Sequence, residues 1–219
     1  MATQHSKKIS IVRAQSDVDA GWPCFGNWRG ALIVAFLTVI FGLQTHPSRA
    51  SAIGPNCTVA KAWAADLRSY IPVSGKKPVP RSAFFDREGN ERTIADYRGT
   101  GVVLNFWATW CPPCVREMPA LDRMRAALAG SGIDVVAVSE DIKGVEHVAK
   151  YYKKLELKHL ELFIDRDNAF MRAANVGSLP TTLLIDEEGN EVAGVLKDAE
   201  WDSPAIIEFV KSCLTPRKH

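Results

Sequence analysis

The stretch VVLNFWATWCPPCVREMPAL, residues 102 to 121, sets two cysteines two residues apart at the point where an apolar run gives way to a helical pattern. The run VVLNFWA is nearly continuous in apolar residues, as expected of a strand covered on both faces. After it, Val115, Met118, Leu121, Met124 and Leu128 recur every three or four residues, while Arg116, Asp122, Arg123 and Arg125 fall mostly elsewhere, and Gly130 and Gly132 end the segment. Cys111 therefore sits at a strand-to-helix junction, where unpaired backbone N–H groups and the positive end of the helix dipole favour thiolate. Cys114 lies one turn on, close enough to attack a mixed disulfide formed on Cys111. Pro112 and Pro113 remove two backbone donors from the loop between them.

The rest of the chain limits the alternatives. Five cysteines, at 24, 57, 111, 114 and 213, are too few for a disulfide scaffold in 219 residues. A structural zinc site needs four ligands, yet there is no second CxxC, and His147 and His159 have no ligand-like spacing to Cys111. Haem attachment would require His where Val115 stands. A purely structural bridge gains little from closing so short a loop. Redox exchange is the reading these residues favour, with no metal and no cofactor. A net charge of +2, with Lys and Arg scattered, argues against nucleic acid as a partner.

Strands alternate with helices beyond the pair. IDVVAVS reads as a strand, VEHVAKYYKKLEL as a helix, HLELFI as a third strand and NAFMRAANVG as a short helix. TTLLIDEEG and EVAGVL form a hairpin, and SPAIIEFVKSCL a last helix capped by Ser203 with Pro204 in its first turn. Upstream, AFFDREGNERTIADYRG reads as a hairpin turning at EGN. The similar phrase LLIDEEGNEVAGVL reflects the same turn chemistry rather than an internal repeat, because the flanks differ. The pattern is an α/β fold with a mixed sheet.

The amino-terminal part divides differently. Lys7, Lys8, Arg13 and Arg29 precede the uncharged run ALIVAFLTVIFGL, residues 31–43. As a helix it spans about 20 Å, short of a hydrocarbon core of about 30 Å. Ala50-Ser51-Ala52 offers a cleavage site, whereas the long leader with Asp17 and Asp19 suits an uncleaved anchor. Signal peptide and inner-membrane anchor both remain open, and both carry residues 53–219 across the membrane into the periplasm. Cys24 stays on the inner side. Residues 53–80 are expected to hold a helix, VAKAWAADLRSY, followed by a linker in which Pro72, Gly75, Pro78 and Pro80 forbid regular structure, with the main domain over 81–219.

The segment around the pair resembles the active site of the TlpA and ResA group of thioredoxin-like, membrane-associated thiol-disulfide oxidoreductases, and the likeness runs from about Phe84 to Leu214. The resemblance implies a thioredoxin fold with an amino-terminal hairpin extension and an inserted strand and helix, matching VVAVS and VEHVAKYYKKLEL. It makes Cys111 the attacking nucleophile and Cys114 the resolving cysteine. Trp110, Pro112, Pro113, Leu179 and Pro180 become substrate-binding residues, with Pro180 in the cis form.

Two neighbouring positions differ in what they imply. Asn105 stands where thioredoxin keeps a buried aspartate, so it cannot serve as proton acceptor. Glu117 matches an acidic position of the group and is either a partner for the Cys114 proton or a solvated first-turn glutamate supporting the dipole. Pro119 is read as structural. The resemblance also suggests a disulfide between Cys57 and Cys213, the alternative being two unrelated thiols.

By the same likeness, the activity is reduction of client disulfides in cytochrome c maturation or respiratory copper-site assembly, with a membrane electron donor of the DsbD or CcdA type. A disulfide-forming oxidase and a copper(I)-binding module built on the CxxC are the rival readings. Pro113 in place of the histidine common in strong oxidants favours the reductase.

Overall fold

The computed structural model describes residues 69–216, and the structural statements below concern these. The leader, the 31–43 run, Cys24, Cys57 and nearly all of the helix expected before Tyr70 lie outside them. The described elements are β1 (Tyr70–Pro78), β2 (Phe84–Phe85), β3 (Glu91–Arg92), β4 (Gly101–Trp107), α1 (Pro112–Ala127), β5 (Ile133–Ser139), α2 (Val145–Lys154), β6 (Phe163–Ile164), α3 (Ala169–Ala173), β7 (Thr181–Ile185), β8 (Asn190–Val195) and α4 (Pro204–Leu214). Their strands form one mixed sheet in the order β1-β8-β7-β4-β5-β6-β2-β3. Among the described residues no helix is long and apolar enough to cross a membrane.

β4 is central. It pairs parallel with β5 over all seven residues and antiparallel with β7, and every one of its residues is buried. Alternation sends its side chains to two separate cores. Val103 and Trp107 meet Met118, Leu121 and Met124 of α1 and Phe209 and Val210 of α4. Val102, Leu104 and Phe106 meet Phe84, Ile94, Phe163 and Phe170 on the other face. The helical periodicity read from residues 115 to 128 is the buried face of α1, which runs unbroken through Pro119. The carboxyl end of α4 passes so close to β4 that a Cβ on Gly101 would stand 2.4 Å from the Leu214 carbonyl oxygen, which only glycine tolerates.

Three expectations need correction. The proline-rich linker of residues 72–80 is largely an edge strand: β1 pairs antiparallel with β8, with an irregular register between Pro72 and Lys77 where Gly75 takes a φ of 81°. An edge strand leaves one row of N–H groups unpaired, so prolines cost little there, and Lys77 adds an ion pair to Glu191 at 2.6 Å. The sheet thus begins well before residue 81.

The strand expected over His159–Ile164 shrinks to Phe163–Ile164. Asp122 Oδ1 on α1 accepts the backbone N–H groups of Lys158, His159 and Leu160 at 3.0, 2.8 and 2.8 Å, so these donors are engaged by a side chain instead of a neighbouring strand. The third correction concerns the insertion. Ile133–Ser139, part of which the resemblance made the inserted strand, pairs along the whole of β4 in the central sheet, and β6 pairs parallel with it beyond α2.

Both hairpins use one device. Asp86 Oδ1 accepts the Asn90 N–H, and Asp186 Oδ1 the Asn190 N–H, each at 2.8 Å. Beyond the first hairpin the chain forms a 3-10 turn, Ile94–Tyr97, rather than a longer strand.

Candidate active site

Cys111 is the N-cap of α1, in extended conformation, and joins Cys114 in a disulfide with Cα atoms 5.3 Å apart. The junction arises because β4 ends at Trp107 and the two prolines start a helix with φ already preset. Those prolines also thin the expected cluster of N–H donors. Only the Cys114 N–H reaches the Cys111 sulfur, at 3.4 Å, so one hydrogen bond and the helix dipole act on it. The two sulfurs are not equivalent. Cys111 borders an open groove of about 500 Å3, whereas Cys114 is fully buried behind it.

The groove is lined by Trp110, 65% exposed, with Cys111, Pro112 and Pro113, and by Ser178 and Leu179 together with Glu140, Asn168, Met171 and Arg172. The Leu179–Pro180 peptide is cis, and Pro180 itself is buried. Of the residues expected to bind substrate, Trp110, Pro112, Pro113 and Leu179 line this one groove, while the buried Pro180 does not.

Glu117 is not a solvated first-turn residue. It lies in the second turn of α1, on the same face as Cys114, and is 3% exposed. Its Oε1 accepts from Asn105 Nδ2 at 2.9 Å; its Oε2 accepts from Trp201 Nε1 at 2.8 Å and from the Ala199 N–H at 3.2 Å. Burial pushes its pKa up to about 7, outweighing the hydrogen bonds that favour the charged form. Asn105, unable to accept a proton, instead donates to Glu117 and to Thr182 Oγ1 at 2.9 Å each. A carboxyl poised near neutrality, one turn from the buried cysteine, suits exchange of a proton with that cysteine.

Several contributors escaped the sequence reading. Trp201 and Ala199 reach Glu117 from the β8–α4 connection, more than eighty positions away. Thr109, two residues before Cys111, is clamped by Asp141: its N–H donates to Oδ2 at 2.8 Å and its hydroxyl to Oδ1 at 2.6 Å, while His147 Nε2 stands 3.0 Å from that hydroxyl. Glu140 brings a carboxyl to the groove. Cys213, on α4, is buried and disulfide-bonded, and Cys57, its expected partner, lies outside the described residues. Among the described residues no group of three His, Cys, Asp or Glu side chains is arranged to hold a metal.

A mixed sheet, a groove-facing cysteine capping the helix after its central strand, and a cis-proline loop beside it define a thioredoxin-like protein. The sequence pattern of the Redoxin family matches residues 74–206. Among curated relatives, the thiol-disulfide oxidoreductase ResA of Geobacillus kaustophilus is 40% identical over 110 residues, which are 50% of this chain and 62% of that protein. ResA of Bacillus thuringiensis subsp. konkukian is 31% identical over 140 residues, 64% of this chain and 78% of its own length. Among solved structures, the pneumococcal exposed lipoprotein thioredoxin Etrx1 of Streptococcus pneumoniae strain TIGR4 superposes with a TM-score of 0.51 at 29% identity, covering 59% of this chain and 97% of that one. The chain belongs to the Redoxin family and, within the thioredoxin superfamily, to its ResA-like members.

Proposed function

We propose that the protein is an extracytoplasmic thiol-disulfide oxidoreductase that reduces disulfides in particular exported client proteins. The observation that carries this is the asymmetry of the pair: Cys111 borders the groove at the start of α1, and Cys114 is buried behind it with Glu117 one turn further on.

In the reduced protein the Cys111 thiolate attacks one sulfur of the client disulfide. A mixed disulfide forms, and the other client sulfur leaves as a thiolate that takes up a proton. Cys114 then gives its proton to Glu117 and attacks Cys111, releasing the second client thiolate. The client gains two electrons and the pair closes to the Cys111–Cys114 disulfide. Trp110, Pro112, Pro113, Leu179 and the cis-Pro180 loop hold the client segment in the groove. A reductase of this kind outside the cytoplasm needs a membrane electron donor, and the DsbD or CcdA type fits that requirement.

The same reading assigns the clients to cytochrome c maturation or respiratory copper-site assembly. It places the domain in the periplasm behind a leader at residues 1–52, held at the inner membrane by residues 31–43 if these are retained. It pairs Cys213 with Cys57. Closing so long a loop contributes about 3 to 5 kcal/mol in the chain-entropy description.

The test is a trap. Full-length protein reduced and mixed with a disulfide peptide should accumulate a peptide adduct on Cys111 when Cys114→Ser removes the resolving thiol, and none when Cys111→Ser removes the nucleophile. Equal adducts on both cysteines would contradict the assignment.

A further inference from the structure

Just past β5, Glu140 lines the groove that Trp110 and Cys111 also border. Its backbone N–H donates to the Trp107 carbonyl at 2.8 Å, which ties the residue to the end of β4. The side chain is 2% exposed yet borders the same groove as Cys111. Oε2 accepts from Asn168 Nδ2 at 2.7 Å, whereas Oε1 is buried with no partner at all. A buried carboxylate oxygen without a donor is costly, so it points to a missing proton or a missing neighbour.

The neighbour is a second carboxyl. Asp165, also buried, is held beside Glu140 by its backbone N–H, which donates to the Ser139 carbonyl at 2.9 Å, and its charge acts on the Glu140 carboxyl. Its own oxygens are already engaged, Oδ1 with the Ala169 N–H at 3.0 Å and Oδ2 with the Met171 N–H at 2.9 Å. Two neighbouring buried carboxylates oppose each other's charge unless a cation compensates them. Arg172 on α3 is the cation that acts on Glu140, and it does so less than Asp165 does. Asp141, the next residue, turns its carboxylate to Thr109 and Ser139, and Cys111 in its disulfide lines the same groove. A proton on Glu140 Oε1, directed at Asp165, satisfies the bare oxygen and removes the repulsion together.

Asn168 shows what depends on this. It heads α3 with a left-handed φ of 52° and caps no helical N–H with its side chain, giving that side chain to Glu140 instead. Asn168, Met171 and Arg172 all border the groove.

We propose that Glu140 carries a proton, directed at Asp165, in the wall of the Cys111 groove, and that this proton keeps Asn168 and α3 where a client segment meets them. Glu140 is then a positioning residue for client recognition. The proposal rests on the thiol-disulfide reading of the groove. Burial, ahead of the other influences, pushes the Glu140 carboxyl up to about 8. The proton is therefore present at neutral pH and leaves under mild alkali, whereupon the paired carboxylates repel.

The experiment follows reduction of a synthetic peptide with one internal disulfide by the reduced full-length protein, from about pH 6 to about pH 9, in the native chain and in Glu140→Gln, whose amide cannot ionise. Each rate is divided by that for dithiothreitol reduction of the Cys111–Cys114 bond, which removes effects on the cysteines themselves. On raising the pH, the peptide KM of the native chain should climb about fivefold relative to that of Glu140→Gln, with kcat following in parallel in both. A KM ratio that stays flat across the range overturns the proposal while leaving the oxidoreductase reading intact. A native chain that exchanges neither with peptide nor with dithiothreitol overturns both.

A measurement on the native chain removes reliance on the variant. With carbon-13 in the Glu carboxyls, the Glu140 signal should titrate near pH 8. A Glu140 carboxyl already ionised at about pH 6 contradicts the proposal.

Discussion

Trp201 donates its indole N–H to Glu117 Oε2 at 2.8 Å, and both residues are buried. This bond ties the β8–α4 connection to the helix that carries the cysteine pair, and it is the leading influence that draws the Glu117 pKa down against burial. The last part of the domain is thereby coupled to a buried carboxyl on the helix that carries the pair.

Replacing that donor tests the coupling. Trp201→Phe keeps most of the ring's bulk but leaves Glu117 Oε2 with only the Ala199 N–H. The Glu117 titration, followed by carboxyl carbon-13 signals, should move above about 7, and unfolding stability should fall by about 1 to 3 kcal/mol. An unmoved titration would show that the indole does not act on the carboxyl.

The pH dependence of stability has a definite sign. The folded-state pKa of Glu117 stands near 7 against a model-peptide value of 4.5, so between these limits the folded chain holds a proton that the unfolded chain has lost. Stability therefore declines as pH rises from about 4.5 toward 7, by a few kcal/mol. Glu117→Gln should flatten this part of the curve in urea titrations of the oxidised protein. A variant curve parallel to the native one would mean that Glu117 is charged throughout.

The same substitution separates the two steps of exchange. Because the proposed mechanism passes the Cys114 proton to Glu117, Glu117→Gln should slow resolution of the mixed disulfide by about 10- to 100-fold near neutral pH, with a smaller effect on the initial attack by Cys111. Rapid acid quenching followed by mass analysis distinguishes the steps. Equal slowing of both would argue for a general change in the pair.

Asp122 offers a purely structural contrast. Its Oδ1 accepts three consecutive backbone N–H groups from Lys158, His159 and Leu160. Asp122→Ala leaves these donors without their partner and should lower unfolding stability by about 2 to 4 kcal/mol, while the dithiothreitol exchange rate of the folded fraction stays near native. A loss of exchange equal to the loss at Glu117→Gln would bring Asp122 into the redox machinery.

Local signals carried much of the fold. The redox pair, the buried face of α1 from Val115 to Leu128, the two Asp–Asn turns and the Ser203 cap all follow from spacing and residue type within a few positions. What could not be read depends on distant partners. β1 looks like a linker because its prolines and glycine are tolerated only at the sheet edge it occupies. The strand before Phe163 is shortened by a carboxylate on a helix thirty-six or more positions earlier. Glu117 reads equally as a surface residue until Trp201 and Asn105 close over it, and Glu140 gains meaning only beside Asp165 and Asn168.

The central claim is that Cys111 and Cys114 form a pair that donates electrons to clients. The most direct measurement equilibrates the full-length protein with defined ratios of reduced to oxidised glutathione and counts free thiols with a mass tag. The account predicts that the pair remains oxidised until glutathione is overwhelmingly reduced, with a midpoint far below the glutathione range. A midpoint on the strongly oxidising side, with the pair reduced by traces of glutathione, would contradict the reductase.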